Sequence, residues 1–228
     1  MAPSTLAQWF AAVGTLLAVL VALFKDPVLA WRRKPHLDAK CTKDSPWTVR
    51  TTIIVYDRNT GNVLWNGDCY YVRIEVENSG QTRAEKVQVY ASKLAKLAAD
   101  NKFEVIQAFI PLNMRWANSP PSGATAVLNG ISPKMGAFCD IVSLCDPANP
   151  HQGRPPGTQP NVTVGQLQLE VEPSNLSHLL APGTYRLTLR IAAANVEPVE
   201  KVLEFKHTGG WLQDDIAMRR DCLAVSLK

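Results

Sequence analysis

Residues Leu6 to Phe24 read LAQWFAAVGTLLAVLVALF, 19 residues with no charged side chain and only Gln8 and Thr15 clearly polar. At about 1.5 Å of rise per residue, a helix of this length nearly spans the roughly 30 Å hydrocarbon core of a bilayer. A buried helix of a soluble domain would normally carry at least one polar face. The segment is therefore expected to be a transmembrane helix, residues 6–24, behind a short tail, residues 1–5. A cleaved signal peptide wants a basic start, a shorter apolar run and small residues at its exit. Here MAPST has no basic side chain, and the exit is Phe24-Lys25-Asp26-Pro27. An uncleaved anchor fits better.

Charge sets the expected orientation. Lys25, Arg32, Arg33 and Lys34 follow the apolar run within a basic juxtamembrane linker, residues 25–36, and no basic side chain precedes it. The positive-inside rule then leaves the C-terminal bulk in the cytoplasm, beneath a cell inner membrane. Trp9 and Trp31 suit the two interfacial belts, and Asp26-Pro27 can start a surface-lying turn. Arg32–Lys34 could pair with anionic headgroups or serve as a plain topology signal. On a helical wheel, Ala7, Ala11, Gly14, Ala18 and Ala22 fall within an arc of about 80°. Small residues let lipid-embedded helices approach closely, so this stripe is a candidate self-association face. Chance is the alternative, since apolar helices are rich in alanine.

The whole chain carries a net charge of +4. Most of it resides in residues 25–34, and the chain from Pro35 onward is close to neutral. That argues against a nucleic-acid-binding domain.

Beyond His36 the pattern changes to period two. Tyr70, Val72, Ile74 and Val76 alternate with polar or tyrosine neighbours, and Asn78-Ser79-Gly80 supplies a turn. Val87, Val89 and Ala91 continue the series; so do Leu167, Leu169 and Val171, then Tyr185, Leu187, Leu189, Ile191 and Ala193. Leu203 and Phe205 mark a further strand, and Leu223, Val225 and Leu227 a closing one. Helical signal is scarce. Ser92 could cap a short helix bearing Leu94, Leu97 and Ala98, and another could run from Asp214-Asp215 through Met218. The stretch 119–123 and the Pro-rich 146–160 read as loops. Residues 37–228 are thus expected to form one mainly β domain, an immunoglobulin-like antiparallel β-sandwich preceded by one N-terminal transmembrane α-helix.

The stretch Leu180-Ala-Pro-Gly-Thr-Tyr185-Arg-Leu-Thr-Leu-Arg-Ile191-Ala-Ala-Ala-Asn195 resembles the late strand of fibronectin type III and related immunoglobulin-like sandwiches. That resemblance implies a tyrosine corner at Tyr185, its hydroxyl bonding back to the backbone. Val72–Gly80, followed by Ala84 and Val87, resembles the cell-adhesion-like sandwich domains of bacteria. The chain as a whole is similar to uncharacterised bacterial single-pass membrane proteins with a cytosolic β-sandwich. The shared landmarks are Pro111-Leu112, Arg115-Trp116, Cys139-Asp140, Pro182–Tyr185, Ala194-Asn195 and Gly210-Trp211 with Asp214, Asp215 and Met218. The likeness implies architecture and no catalytic residue.

Chemistry-bearing constellations are sparse. His36, His151, His178 and His207 show no i, i+3 or i, i+4 pair, and Cys41, Cys69, Cys139, Cys145 and Cys222 include no C-x-x-C. Five free, mostly buried thiols in a reducing compartment are the expected state. Cys139-Asp140 and Cys145-Asp146 invite a metal reading, but their placement argues against it. No phosphate-cradling or nucleophile-elbow motif occurs. The most site-like cluster is Trp211 with Asp214 and Asp215, an aromatic platform beside paired carboxylates. The competing account is a helix start whose acids suit its N-terminus, with Arg219 and Arg220 in its last turn.

The expected function is a membrane-anchored, non-enzymatic interaction or scaffolding module facing the cytoplasm, with no cofactor and no metal. Its expected partners are the lipid bilayer, a second copy of the chain, and a protein or small ligand, but no nucleic acid. Two alternatives stand beside it. One is a ligand-sensing membrane effector, for example in antiphage defence, that self-associates through its helix. The other is an envelope-facing binding domain.

Overall fold

The computed structural model describes residues 3–32, 34–57, 59–117 and 126–228. The expected loop 119–123 lies outside them. A single helix, α1 (Pro3–Arg32), opens the chain. It is longer than the 6–24 span: its last turns take in Lys25–Arg32, and Asp26-Pro27 starts no separate turn. The residues after Pro27 (Val, Leu, Ala, Trp, Arg) include no glycine to break the helix again.

Two antiparallel sheets form a sandwich behind the helix. The first contains β1 (Leu37–Lys40), β2 (Thr48–Tyr56), β3 (Val63–Asn78), β7 (Arg115–Trp116), β9 (Gly136–Cys145), β10 (Gly165–Leu167) and β11 (Leu179–Leu180). Its order is β1-β3-β9-β10-β11, with β2 also on β3 and β7 on β9. The second contains β4 (Ala84–Leu97), β5 (Phe103–Val105), β6 (Leu112–Asn113), β8 (Val127–Ile131), β12 (Gly183–Ala193), β13 (Val196–His207) and β14 (Leu223–Leu227). Here the order is β14-β13-β12-β4-β5, with β6 and β8 on β4.

Period two places the core. Tyr70, Val72, Ile74 and Val76 of β3 are all buried, as are Tyr185, Leu187, Leu189 and Ile191 of β12 and Leu203 and Phe205 of β13. Most of them pack into one cluster between the sheets, where alternate residues of each strand face inward. The Tyr185 hydroxyl donates to the Ala181 carbonyl at 2.7 Å, which is the geometry of a tyrosine corner.

Three expectations are corrected. The helix at Ser92 does not form, because Ser92–Leu97 belong to β4. The register against β12 passes from Thr188↔Lys93 to Leu189↔Ala91, leaving Ser92 as the extra residue of a β-bulge. The bulge shifts the inward face from Ala91 to Leu94, while Leu97 is the half-buried last residue of β4 and Ala98 lies beyond it, so the 94, 97, 98 spacing crosses a strand end and marks no helix face. Secondly, the strand through Val171 ends early: β10 stops at Leu167, Leu169 makes an isolated bridge to Met114, and Val171 is exposed.

The third correction concerns the thiols. Cys69 and Cys145, paired across β3 and β9, form a disulfide, so only Cys41, Cys139 and Cys222 are free. The 146–160 loop is irregular as expected, and it is pinned from within. Arg154 donates to the carbonyls of Pro147, Gln159 and Val162.

Candidate functional site

The acids of the expected cluster lie on a short helix, α2 (Asp215–Ala217), which continues into a π-helical turn, Met218–Cys222. Asp214 is its N-cap, accepting from the Ala217 amide at 2.7 Å. Asp215 faces inward, taking the Tyr70 hydroxyl at 2.8 Å and pairing with Arg219 one turn along at 2.7 Å. The Trp211 ring meets the Tyr70 ring edge-on, with centroids 5.6 Å apart. Tyr70 packs with Leu144, Met218, Cys222 and Leu223 in a small second core, with Trp211 against it. Burial, and then the Asp215 carboxylate, push the Tyr70 phenol up to about 12. The structure thus brings Trp211, Asp214 and Asp215 together, and each acid is engaged in closing the end of the first sheet.

Sequence reasoning missed the other half of this cap. Arg50 of β2 donates through Nε and Nη2 to Asp68 of β3, at 2.9 and 2.5 Å, and through Nη1 to the Gln213 carbonyl. Thr52 donates to the second oxygen of Asp68 at 3.0 Å. Those two donors hold the Asp68 carboxyl below its ordinary value. Arg50 and Gln213 stand 163 positions apart, so no local pattern could have joined them.

Beyond the cap the β2–β3 hairpin leaves the sandwich. Pairing between β3 and β9 begins at Cys69, so the first six residues of β3, Val63–Asp68, pair with β2 alone. The Cys69–Cys145 disulfide sits at the root of this arm. Toward its tip the arm exposes Ile54 (43%), Tyr56 (54%), Val63 (57%) and Leu64 (48%). On its other face the Trp65 ring lies across Gly67, filling the space a Cβ would need. Exposed apolar side chains thus gather toward the end of a two-stranded ribbon.

The metal readings fail on geometry. Cys139 is buried and donates to the Arg115 carbonyl, whereas Asp140 pairs with Arg73 at 2.7 Å. In the register they stand against Ile74, which points into the core, and Arg73, which points out of it, so they face opposite sides of the sheet. Burial raises the Asp140 carboxyl, and Arg73 opposes that rise. Cys145 is committed to Cys69. Among the described residues, no three His, Cys, Asp or Glu side chains gather to hold a metal ion.

Within α1, residues Gln8–Lys25 are long and apolar enough to cross a membrane, with a mean hydropathy of 1.7. Ala11, Gly14, Ala18 and Ala22 are exposed along it, as are Trp9 and Lys25. Arg33 lies outside the described residues, and so do the side chains of Ala7, Trp31 and Arg32. Lys34 is exposed just before β1, and its carbonyl accepts from the Gln81 amide. The chain matches no family model, and no curated protein or solved structure matches it.

Proposed function

We propose that this chain is a membrane-anchored, non-enzymatic binding module whose sandwich presents the β2–β3 arm to a partner. The observation that carries this reading is the arm itself: a ribbon held at its root by Arg50–Asp68 and Cys69–Cys145, with apolar side chains exposed toward its tip. The carboxylates that most resembled a reactive pair are occupied in capping and bracing, which supports a binding role over catalysis. The apolar helix supplies the anchor, and the basic residues Lys25, Arg32, Arg33 and Lys34 favour a sandwich on the cytoplasmic face of the inner membrane.

A second reading, an envelope-facing binding domain, is favoured by the Cys69–Cys145 disulfide, since such bonds persist in oxidising compartments. Topology decides between them. A Gln159→Cys reporter in the exposed 146–160 loop, treated in intact cells with a membrane-impermeant thiol reagent, should stay unlabelled until lysis if the domain is cytoplasmic. Labelling before lysis would make the outward-facing domain the correct reading. The binding role is tested separately, with photo-crosslinking side chains at Tyr56 and Val63 and exposed controls at Lys102 and Glu200. Discrete adducts are expected from the arm positions only; equal yields at all four would remove the arm as the binding element.

A further inference from the structure

Strand β2 has one side without a strand. Its backbone pairs with β3 along one edge, and among the described residues no strand pairs with the other. The Trp47 carbonyl accepts from the Arg73 amide, which fixes the phase of the ladder. Residues 47, 49, 51, 53 and 55 turn their backbone groups toward β3, so those of Arg50, Thr52 and Ile54 point outward. An exposed edge of this kind is a template for another strand, and proteins usually blunt it with proline, lysine or an inward charge. The sequence TVRTTIIVY has no proline, and its one charge, Arg50, is already neutralised by Asp68.

We infer that β2 pairs antiparallel with β2 of a second copy of this chain, about a twofold axis through Thr52. The strand is complementary to itself in this register on three counts. Thr52 is the midpoint of β2, so centring the axis there overlaps the whole strand, and since the Thr48 amide already donates to the Asp44 carbonyl, the free ladder runs through Arg50, Thr52 and Ile54. It sets outward-facing groups against each other, Thr52 against Thr52 and Arg50 against Ile54, as an antiparallel ladder demands. It also keeps the two Arg50 side chains apart, whereas an axis at Arg50 would oppose them directly. On the other face the same register sets Val49 against Val55 and Thr51 against Ile53, β-branched pairs that suit a pleated surface. The two sheets then become one continuous sheet across the dimer. A shared membrane plane would raise the effective concentration of copies, but the register argument does not depend on the anchor or on the side the domain faces.

The test uses the full chain in detergent micelles, with self-association followed by fluorescence transfer between labelled copies. Thr52→Pro removes only an outward amide and leaves the β3 ladder whole. Thr52→Ala loses the same hydroxyl contact to Asp68 but keeps the amide, and is the control. Each copy of the proline variant loses one interchain hydrogen bond, so its dimer should dissociate about tenfold more readily, or more, than that of the alanine variant. Oxidative cross-linking in a Cys41→Ser background reads the register. Thr52→Cys should cross-link to itself, and Arg50→Cys and Ile54→Cys should cross-link to each other more readily than either does to itself. A monomeric full chain, equal dissociation of the proline and alanine variants, or cross-linking without this pattern would each overturn the inference. Tyr56 lies within this β2–β2 register, so an adduct there of the mass of two copies reports the dimer. A different partner at the arm tip is reported only by adducts of another mass, at Val63 above all.

Discussion

The Tyr70 hydroxyl donates to the Asp215 carboxylate at 2.8 Å, joining residues 145 positions apart and fastening the segment after β13 over the end of the first sheet. Tyr70 is fully buried beneath the half-exposed Asp215, so removing the acceptor costs its hydroxyl a charged partner that entering water replaces only in part. Asp215→Ala should therefore cost about 2 kcal/mol, since it leaves a buried donor only partly satisfied and also strands Arg219. Tyr70→Phe removes donor and desolvation together, leaves Asp215 its Arg219 partner, and should cost about 1 kcal/mol. Urea denaturation of both variants checks the order, and equal costs would show that the hydroxyl is solvated.

Buried titratable groups set the pH limits of the sandwich. Burial pushes the His207 imidazole down to about 4, from an ordinary value of 6.5. The unfolded chain takes up this proton first as pH falls, so stability is unaffected above about 6.5 and is lost progressively down to about 4. The full loss amounts to about 3 kcal/mol for this 2%-exposed side chain. His207→Phe keeps a ring against Tyr185 and should flatten the slope of unfolding free energy over that window.

The alkaline limit has the opposite sign. Burial raises both the Tyr70 and Tyr185 phenols to about 12, above an ordinary 10. The contribution is complete below pH 10 and is lost as pH rises toward 12, because the unfolded phenols ionise first. Tyrosinate absorbance should therefore lag behind that of the denatured chain and then rise together with unfolding.

The Cys69–Cys145 disulfide closes a loop of 76 residues. Constraining the unfolded chain over that length stabilises the fold by about 2 to 4 kcal/mol. A reductant should lower the melting temperature of the native chain and leave that of a Cys69→Ser, Cys145→Ser variant unchanged. Identical melting of the native chain with and without reductant would show that the bond contributes nothing.

What could be read from the sequence was what is local or periodic. The strands around Ile74, Leu187 and Phe205 alternate cleanly because each has one face on the core. Asp214 was legible as a helix start because its partner, the Ala217 amide, is three residues away. The nine residues of β2 offered no such signal. Burial does alternate along its outer half, with Thr52, Ile54 and Tyr56 exposed and Ile53 and Val55 half-buried, but apolar residues sit on both faces, so TVRTTIIVY shows no polar–apolar alternation. In β4, the bulge at Ser92 broke the period-two run after Ala91, and Leu94, Leu97 and Ala98 straddle the strand end with a spacing that only looks helical. The partners of the candidate site, Arg50 with Gln213 and Tyr70 with Asp215, stand 163 and 145 positions apart, so only the tertiary fold joins them. The same holds for the disulfide, where the spacing of five cysteines could not select a pair.

Asn78 joins the segment that leads into β1 to the turn after β3, and it makes the sharpest case for mutation. Its carbonyl oxygen accepts from the amides of His36 and Gly80, at 3.1 and 3.0 Å. Its side-chain nitrogen donates to the carbonyls of Thr82 and Ile131, at 2.7 and 3.0 Å. The residue is fully buried, so one side chain satisfies four backbone groups on the strand-leading segment, the turn after β3 and β8. The turn has no slack either, because a Cβ on Gly80 would lie 2.5 Å from the His36 nitrogen and the Lys34 oxygen. Asn78→Ala abandons all four groups and should cost about 3 kcal/mol or more. Asn78→Asp keeps the two acceptor contacts but sets a carboxylate against two carbonyls, so it should recover part of that loss at most. Amide exchange tells a local role from a global one. If Asn78 fastens the segment leading into β1 to the turn after β3, protection should fall first at His36, Ser79 and Gly80 and only later in β12 and β13. A uniform fall across the domain would make Asn78 an ordinary core residue.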